Sequence, residues 1–252
     1  MKRFDRRALF ASGAAAALLA ATGVAAAPQR GGRLLAALSP ALFAKTVRTT
    51  LYDSLTEIAA DGTLRAELAT GWQANSDATE WTFMLRKGVV FHNGAPFDAS
   101  HVAQLPFDIR IIDPYQITIH LGASNPNLPY HLAQPGFEIV SDAGTGLYQT
   151  KKNTRGHFIG TRIQNHWKTQ AGWFDTVEFV QFSDENVRAE ALREGLVDMA
   201  EIRGREFLTH LEGTQSVPSA QAALRQTLSI PFTIGKAWPL DNLRMAERWW
   251  MG

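Results

Sequence analysis

The feature that most constrains the fold is a short run in which apolar and polar residues alternate. Trp81, Phe83 and Leu85 alternate with Thr82 and Met84. A period of two predicts a β-strand with one apolar face. Lys87-Gly88 interrupts the pattern, Val89–Phe91 resumes it, and Asn93-Gly94 is typical of a tight turn. This part of the chain is therefore predicted to form short strands separated by turns.

A second hairpin is predicted immediately downstream. Ile109 and Ile111 lead to the turn pair Asp113-Pro114, after which Ile117, Ile119 and Leu121 alternate with polar residues. This is again a period of two, with a turn of Asp and Pro between its halves. Residues 122–136 are rich in Asn, Pro and Gly, and this composition predicts a loop.

The later half of the chain mixes strand and helix. Phe174–Phe182 is predicted to be a buried strand, and Ser183–Glu185 supplies a helix cap with acidic residues in the first turn. The helix is expected to run to Glu194, with Val187, Ala191 and Leu192 facing inward and Gly195 ending it. Leu196–Ile202 then reads as another strand. Strand, helix and strand predict a βαβ unit in a mixed α/β (α+β) fold.

The first 26 residues are predicted to be an export signal. Met1–Arg7 is basic, Ala8–Val24 is small and weakly apolar, and the following alanines suit signal-peptidase cleavage after Ala26 or Ala27. The pair Arg6-Arg7 followed by an Ala/Gly-rich stretch resembles a twin-arginine signal. The alternative is a general secretory signal with a chance arginine pair. A membrane span is disfavoured because alanine is only weakly apolar. Either signal predicts a periplasmic protein.

Composition excludes several functions. The chain of 252 residues contains no cysteine, so disulfides, cysteine nucleophiles and thiolate metal sites are excluded. Residues 1–26 contribute +3 to the net charge of +1, so residues 27–252 carry a net charge of −2. A mildly acidic protein has no electrostatic attraction to nucleic acid. No Gly-x-Ser-x-Gly, Walker or Gly-x-Gly-x-x-Gly motif occurs, and the seven histidines form no tight ligand pair. We therefore predict no catalytic residue, no metal site, no cofactor and no enzymatic activity.

Several motifs together resemble one protein family. The string Trp81–Ala99 is the most specific of them, because it keeps the order of strand, Arg-Lys-Gly turn, strand and Asn-Gly turn. The other matching segments are Leu51–Leu55, Asp61-Gly62, Glu67–Trp72, Gly144–Tyr148, Asn165–Trp167 and Asp184–Asp198. Together they resemble the family 5 extracytoplasmic solute-binding proteins, which bind dipeptides, oligopeptides and nickel. Leu147 stands where the family's Gly-Thr-Gly-Pro-Tyr motif has proline.

The resemblance implies a fold, a ligand class and a set of partners. The fold would be like that of type II periplasmic binding proteins, in which two lobes close over an enclosed ligand. The ligand would be a small peptide or a nickel complex, delivered to the membrane subunits of an ABC importer. The resemblance also supplies candidate ligand-binding residues. They are Tyr52, Trp72, Tyr148, Arg162 and Trp167, although each of the two tyrosines and Trp72 is more often a core residue in such motifs.

The length of the chain departs from the family pattern. It ends roughly where a further lobe would begin, so we expect a shortened member lacking most of the C-terminal lobe. Residues 27–55 and 144–252 would form the portion like lobe I, and residues 56–143 a small β-rich portion like lobe II. The expected function is solute binding for peptide or nickel uptake. Two alternatives stay open: an interaction protein that binds a partner protein in place of the lobe and no small solute, and a decayed, poorly folding gene product.

Overall fold

A computed structural model describes residues 31–59, 62–169, 171–204, 214–218 and 227–231. The predicted signal over residues 1–26 lies outside this described part. In these ranges the protein has thirteen strands, three α-helices and one 3-10 helix. The strands are β1 (Arg33–Leu38), β2 (Thr56–Ile58), β3 (Leu64–Ala66), β4 (Ala69–Ala74), β5 (Glu80–Leu85), β6 (Asp108–Asp113), β7 (Gln116–His120), β8 (Tyr148–Thr154), β9 (His157–Arg162), β10 (Thr176–Gln181), β11 (Met199–Ile202), β12 (Thr214–Pro218) and β13 (Thr227–Pro231). The helices are α1 (Pro40–Leu51), the 3-10 helix Ala99–Gln104, α2 (Leu128–Leu132) and α3 (Glu185–Arg193).

The larger sheet has seven strands in the order β12-β13-β11-β1-β10-β9-β8. Strand β1 pairs in parallel with both β10 and β11, and the other pairings in this sheet are antiparallel. Because β10 and β11 flank β1 and run in the same direction, α3 must cross over between them. The predicted strand–helix–strand unit and the mixed sheet are therefore confirmed.

Helix α3 has the predicted limits but buries a different face. Asp184 caps it by accepting a hydrogen bond from the Asn186 amide, and Gly195 adopts a positive φ just after the helix ends. Leu192 is buried as expected, but Val187 is 43% exposed, so its predicted inward position is wrong. Arg188 is buried as well, and its guanidinium donates to the carbonyl oxygens of Phe182, Ser183 and Glu201. These hydrogen bonds compensate the burial of the Arg188 charge. The helical periodicity of the sequence alone would place this side chain on the exposed face.

Helix α1, which the sequence patterns did not reveal, packs on the larger sheet. Ser39 caps it through its hydroxyl, Pro40 occupies the first helical position, and Tyr52 follows its last turn. Leu42 and Phe43 on its inner side join the core of this sheet. That core is made by residues from the helix, from β1, β8, β9, β10 and β11, and from the segments that lead into β8 and β10. They are Leu34, Ala36, Leu38, Leu42, Phe43, Leu51, Leu147, Tyr148, Phe158, Phe174, Val177, Phe179 and Met199.

The smaller sheet has four antiparallel strands in the order β4-β5-β7-β6, and β2 and β3 form a separate hairpin. The strand predicted at Trp81–Leu85 and the hairpin predicted around Asp113-Pro114 are confirmed as β5 and as β6–β7. The strand predicted at Val89–Phe91 is wrong, because only a single bridge joins Val90 to Pro96 around the Asn93-Gly94 turn. The loop predicted over 122–136 contains the short helix α2.

A second core lies under the smaller sheet and is separate from the first. Its members come from β4, β5, β7, α2, the 3-10 helix and the segments joining them. They are Leu55, Leu68, Ala69, Trp81, Phe83, Leu85, Val89, Phe91, Phe97, Ala99, Val102, Leu105, Ile117, Ile119, Leu128, Leu132 and Ile139. Among the helices of the described residues, none is long and apolar enough to cross a membrane.

The chain passes between the two cores at two adjacent places. It leaves the larger sheet after α1 through residues 52–55 and returns through Gly144–Leu147. The return segment lies directly against the end of α1, since the Gly146 amide donates to the Leu51 carbonyl over 2.9 Å. A Cβ added at Gly144 would lie 1.7 Å from the Leu51 carbonyl oxygen, and one at Gly146 would lie 2.4 Å from the Thr50 carbonyl oxygen. Only glycine allows the two passages to approach this closely.

We expect Gly144→Ala to destabilise the protein by about 3 kcal/mol or more, because the added methyl group meets main-chain atoms that no rotamer change can move. Gly122→Ala is the matched control, since a Cβ there meets no atom within 4 Å. Its effect should stay within about 0.5 kcal/mol. Urea unfolding followed by circular dichroism measures both variants. Equal stability of the two would show that the close approach at Gly144 is not needed.

Candidate functional site

A buried ion cluster occupies the junction between the two sheets. The Lys168 ammonium donates to Asp53 Oδ1 over 2.9 Å and to Glu67 Oε1, and lies 3.8 Å from Glu57 Oε2. The side chains of Lys168, Asp53 and Glu67 are only 10%, 2% and 8% exposed. One ammonium therefore faces two buried carboxylates and a third, more exposed one.

Each member of the cluster is supplied by a different part of the fold. Asp53 directly follows the C-cap of α1, and Glu67 lies between β3 and β4. Lys168 comes from the loop that joins β9 to β10 in the larger sheet. Glu67 also accepts a hydrogen bond from the Ser54 amide through Oε2 at 2.9 Å. The cluster thus ties the larger sheet to the outgoing passage and to the hairpin beside the smaller sheet.

The surroundings of the two carboxyl groups move their pKa values apart. Burial raises the pKa of Glu67 well above its usual value, and the neighbouring Asp53 and Glu57 charges raise it further, against the opposing attraction of Lys168. Burial would also raise the pKa of Asp53, but the Lys168 ammonium outweighs it and holds that pKa below the usual range. The same carboxylates raise the pKa of Lys168 despite its burial. Lys168 therefore stays charged, and Glu67 is the member that most readily takes up a proton.

Two histidines hold the returning passage in place. Lys168 donates its amide hydrogen to His166 Nδ1, so the ring proton lies on Nε2, which donates to the Thr145 carbonyl over 2.7 Å. Burial lowers the pKa of His166, which keeps this ring neutral. His92 Nε2 lies 2.8 Å from the Gly146 carbonyl oxygen. The histidines therefore bind main-chain carbonyl groups of the Gly-Thr-Gly segment.

Two cations lie close to the ring of Trp167 at the edge of the cluster. The Arg86 guanidinium carbon is 4.5 Å from the centroid of its ring, and the Lys168 nitrogen is 5.1 Å away. Arg86 is itself fixed by a 2.9 Å hydrogen bond from Nε to the Glu67 carbonyl. The indole is only partly buried, so it offers an aromatic surface whose orientation the cluster determines.

The five candidate residues from the sequence fall into two groups. Tyr52, Trp72 and Trp167 are half-buried. Trp72 and Trp167 pack against the core of the smaller sheet, whereas Tyr52 packs against that of the larger sheet. Tyr148 is 2% exposed and donates its hydroxyl hydrogen to the Phe174 carbonyl over 3.1 Å. It is paired across β8 and β9 with Arg162, which donates to Asp175 over 2.8 Å.

Sequence reasoning missed the residues at the centre of the junction. Asp53 and Glu67 lie inside the motifs Leu51–Leu55 and Glu67–Trp72, and Lys168 directly follows Trp167. An acid within an otherwise apolar or small-residue motif is the signal that could have marked them. The cation that pairs with these acids cannot be identified from local sequence, because Lys168 lies 115 residues from Asp53 and 101 from Glu67. In the described part of the chain, no three His, Asp or Glu side chains are grouped so that they could hold a metal ion.

Comparisons with known proteins agree on one family. The model of the bacterial extracellular solute-binding proteins, family 5 (middle region), matches residues 63–105. The nickel-binding periplasmic protein of Escherichia coli K12 is 35% identical over 200 residues, which cover 64% of this chain and 37% of that protein. The chain is thus similar in sequence to the family 5 solute-binding proteins. A second relative, named "Probable D,D-dipeptide-binding periplasmic protein DdpA" in E. coli K12, is 24% identical over 247 residues, covering 81% of this chain and 48% of the relative.

Solved structures give the same fold. The binding protein AgaA of A. tumefaciens R10, determined with agropinic acid, matches this chain with a TM-score of 0.69 and 23% identity. DppA from Helicobacter pylori, determined with the peptide STSA, matches with a TM-score of 0.66 and 19% identity. These matches cover 74% and 75% of this chain but 48% and 51% of those chains. The mixed α/β fold of periplasmic binding proteins is therefore confirmed, over about half the length of its relatives.

The opposed pKa values of the cluster predict opposite pH effects for two substitutions. Because the folded-state pKa of Glu67 is raised, its stabilising contribution is complete below its ordinary pKa of about 4.3 and is lost as the pH rises through the folded-state pKa. The stability of the wild type relative to Glu67→Gln should therefore fall with rising pH. We therefore expect the difference in unfolding free energy between the two proteins to decrease steadily as the pH rises above that ordinary value.

Asp53→Asn is the matched comparison within the same cluster. The folded-state pKa of Asp53 is lowered, so its contribution is present above its ordinary pKa of about 3.9 and is lost as the pH falls through the folded-state pKa. The stability of the wild type relative to Asp53→Asn should rise as the pH increases from the acid range. Urea unfolding at a series of pH values measures both differences. If the stability differences for Glu67→Gln and Asp53→Asn changed in the same direction with pH, the assignment of the proton to Glu67 would be contradicted.

Proposed function

We propose that this protein is the periplasmic solute-binding component of an ABC-type importer for peptides or nickel complexes. The observation that carries the proposal is the 200-residue similarity to a nickel-binding periplasmic protein, together with the shared fold. A relative named for D,D-dipeptide binding and a neighbour determined with a bound peptide support the peptide alternative. The proposed role is binding and delivery to the importer's membrane subunits, without catalysis.

We further propose that the two sheets belong to two lobes that meet at the ion cluster. Residues 27–55 and 144–252 would belong to one lobe and residues 56–143 to the other, which agrees with two separate cores joined by two adjacent passages. In this proposal Tyr52, Trp72 and Trp167 contact the ligand, because each keeps part of its aromatic surface exposed. Tyr148 and Arg162 would support the site from beneath, because both are engaged by neighbouring groups.

Thermal unfolding in the presence of candidate ligands tests the binding function. The full chain would be expressed with its own N-terminal segment, recovered from the periplasm, and heated with dipeptides, oligopeptides, nickel–histidine complexes or buffer alone. A ligand that binds only the folded state raises the unfolding midpoint as the ligand concentration increases. At a hundred times the Kd, the free energy of unfolding is higher by about 2.7 kcal/mol. We expect one class of ligand to raise the midpoint in this way. Trp72→Ala should then need at least about tenfold more of that ligand to produce the same rise.

Tyr130→Ala provides the control, because Tyr130 is an exposed aromatic residue on α2 outside the proposed site. It should leave the ligand-dependent shift unchanged. A cooperative transition that none of these ligands moves would refute small-solute binding by this chain. In that case the alternative, binding of a partner protein, would be examined by co-purification from periplasmic extract.

Export is tested separately by following the N-terminal segment. We expect the periplasmic form to begin at residue 27 or 28, as measured by intact mass, because small residues precede both positions. Changing Arg6 and Arg7 together to lysine should abolish export by the twin-arginine route while keeping the charge. Arg3→Lys is the control and should be exported normally. Undiminished export of the double variant would assign the general secretory route, and an uncleaved cytoplasmic protein would refute export altogether.

A further inference from the structure

The two sheets differ in how they present their edge strands. In the larger sheet the edge strand β8 is polar throughout its exposed length and carries the adjacent lysines Lys151 and Lys152. An edge strand that is polar and whose charges all have the same sign disfavours pairing with another strand. The edge of the smaller sheet at β6 is different. Its exposed residues include Ile111 and Ile112, each 46% exposed, and no described strand lies beyond it.

The charges on β6 alternate in sign along one face. Asp108 and Arg110 are two residues apart, so both side chains point to the same side of the sheet. Both are exposed, and within the described residues neither side chain makes a hydrogen bond or an ion pair. Their neighbours across the sheet on β7 are His120 and Thr118. The strand therefore presents one negative and one positive side chain beside an unpaired main-chain edge.

We propose that β6 is an interface at which two copies of this protein pair edge to edge. The two β6 strands would run antiparallel about a two-fold axis through Ile109, which joins the smaller sheets of both copies into one sheet of eight strands. In this arrangement Asp108 of each copy lies directly opposite Arg110 of the other, and Ile109 lies opposite its own counterpart. The contact is isologous, so the same patch serves both partners and the assembly closes at two copies.

Charge complementarity selects this register over its neighbours. Residues directly opposite each other in an antiparallel pair share a face and interact. A two-fold axis through Arg110 would place two arginines opposite each other, and one through Asp108 would oppose two aspartates. An axis through Ile111 would place Arg110 opposite Ile112 and Asp108 opposite Pro114, so neither charge would meet an opposite one. The axis through Ile109 pairs both charges with opposite partners and places Ile111 opposite the apolar Phe107.

Sedimentation velocity of the full chain over a wide range of concentration tests the proposal. We expect a concentration-dependent dimer, weak because the paired segment is short. Asp108→Arg places arginine opposite arginine twice, and Arg110→Asp places aspartate opposite aspartate twice. Each variant alone should therefore associate at least about tenfold more weakly than the wild type.

Mixing the two variants provides the decisive readout. An Asp108→Arg copy has two arginines where an Arg110→Asp copy has two aspartates, so the mixture should form a heterodimer although neither variant forms a homodimer. The double variant D108R/R110D restores complementarity within one chain and should dimerise like the wild type. Lys151→Asp, which reverses a charge on the other sheet's edge, is the control and should not change association. Thermal unfolding of each variant confirms that it is folded.

A cysteine introduced on the two-fold axis gives an independent test. The chain has no cysteine, so Ile109→Cys would be its only thiol and would lie opposite itself, within the spacing that a disulfide requires. Mild oxidation should link two copies through Cys at this position, whereas Ile112→Cys should not be linked efficiently. A wild type that stays monomeric at all concentrations, a mixture that does not associate, or a dimer that both charge reversals leave intact would each overturn the proposal.

Discussion

The structure depends on one buried contact, the ammonium of Lys168 held between Asp53 and Glu67. Burial costs several kcal/mol for each charged group, and the mutual attraction of the groups repays that cost only when the geometry is good. The Ser54 amide contributes by donating to Glu67, and the Trp167 ring lies beside the ammonium. Such a cluster adds little net stability compared with an apolar core. Its effect is to specify one arrangement of the parts that supply it.

The arrangement that it specifies is the junction of the two cores. Both passages between the sheets run beside the cluster, and Gly144 and Gly146 allow them to approach main chain to main chain. The neutral ring of His166 links the cluster to the returning passage, since its two nitrogens bond the Lys168 amide and the Thr145 carbonyl. A surface built on this junction, such as that of Trp167, therefore rests on groups whose positions are fixed by several independent contacts.

The sequence predicted the parts of the fold that are governed by local pattern. Strand β5, the β6–β7 hairpin and the β10–α3–β11 unit follow from alternation, turn residues and a helix cap, all of which act over a few residues. Helix α1 was missed because four of its residues are β-branched and weaken its helical pattern, so packing on the larger sheet decides its conformation. The exposure of Val187 has a similar cause, since the burial of Arg188 depends on carbonyl oxygens supplied by other elements.

The candidate site shows the same limit more sharply. Motifs identified Trp167 and Tyr52, but the contacts that fix the Trp167 ring come from Arg86 and Lys168, and the latter is held by acids more than a hundred residues away. A pattern can reveal that Asp53 is an acid among apolar neighbours, but not which cation compensates it. That choice matters chemically, because two buried carboxylates against one ammonium leave an excess negative charge. Burial raises the pKa of Glu67, so Glu67 is the member of the cluster that most readily takes up a proton and thereby lowers this excess.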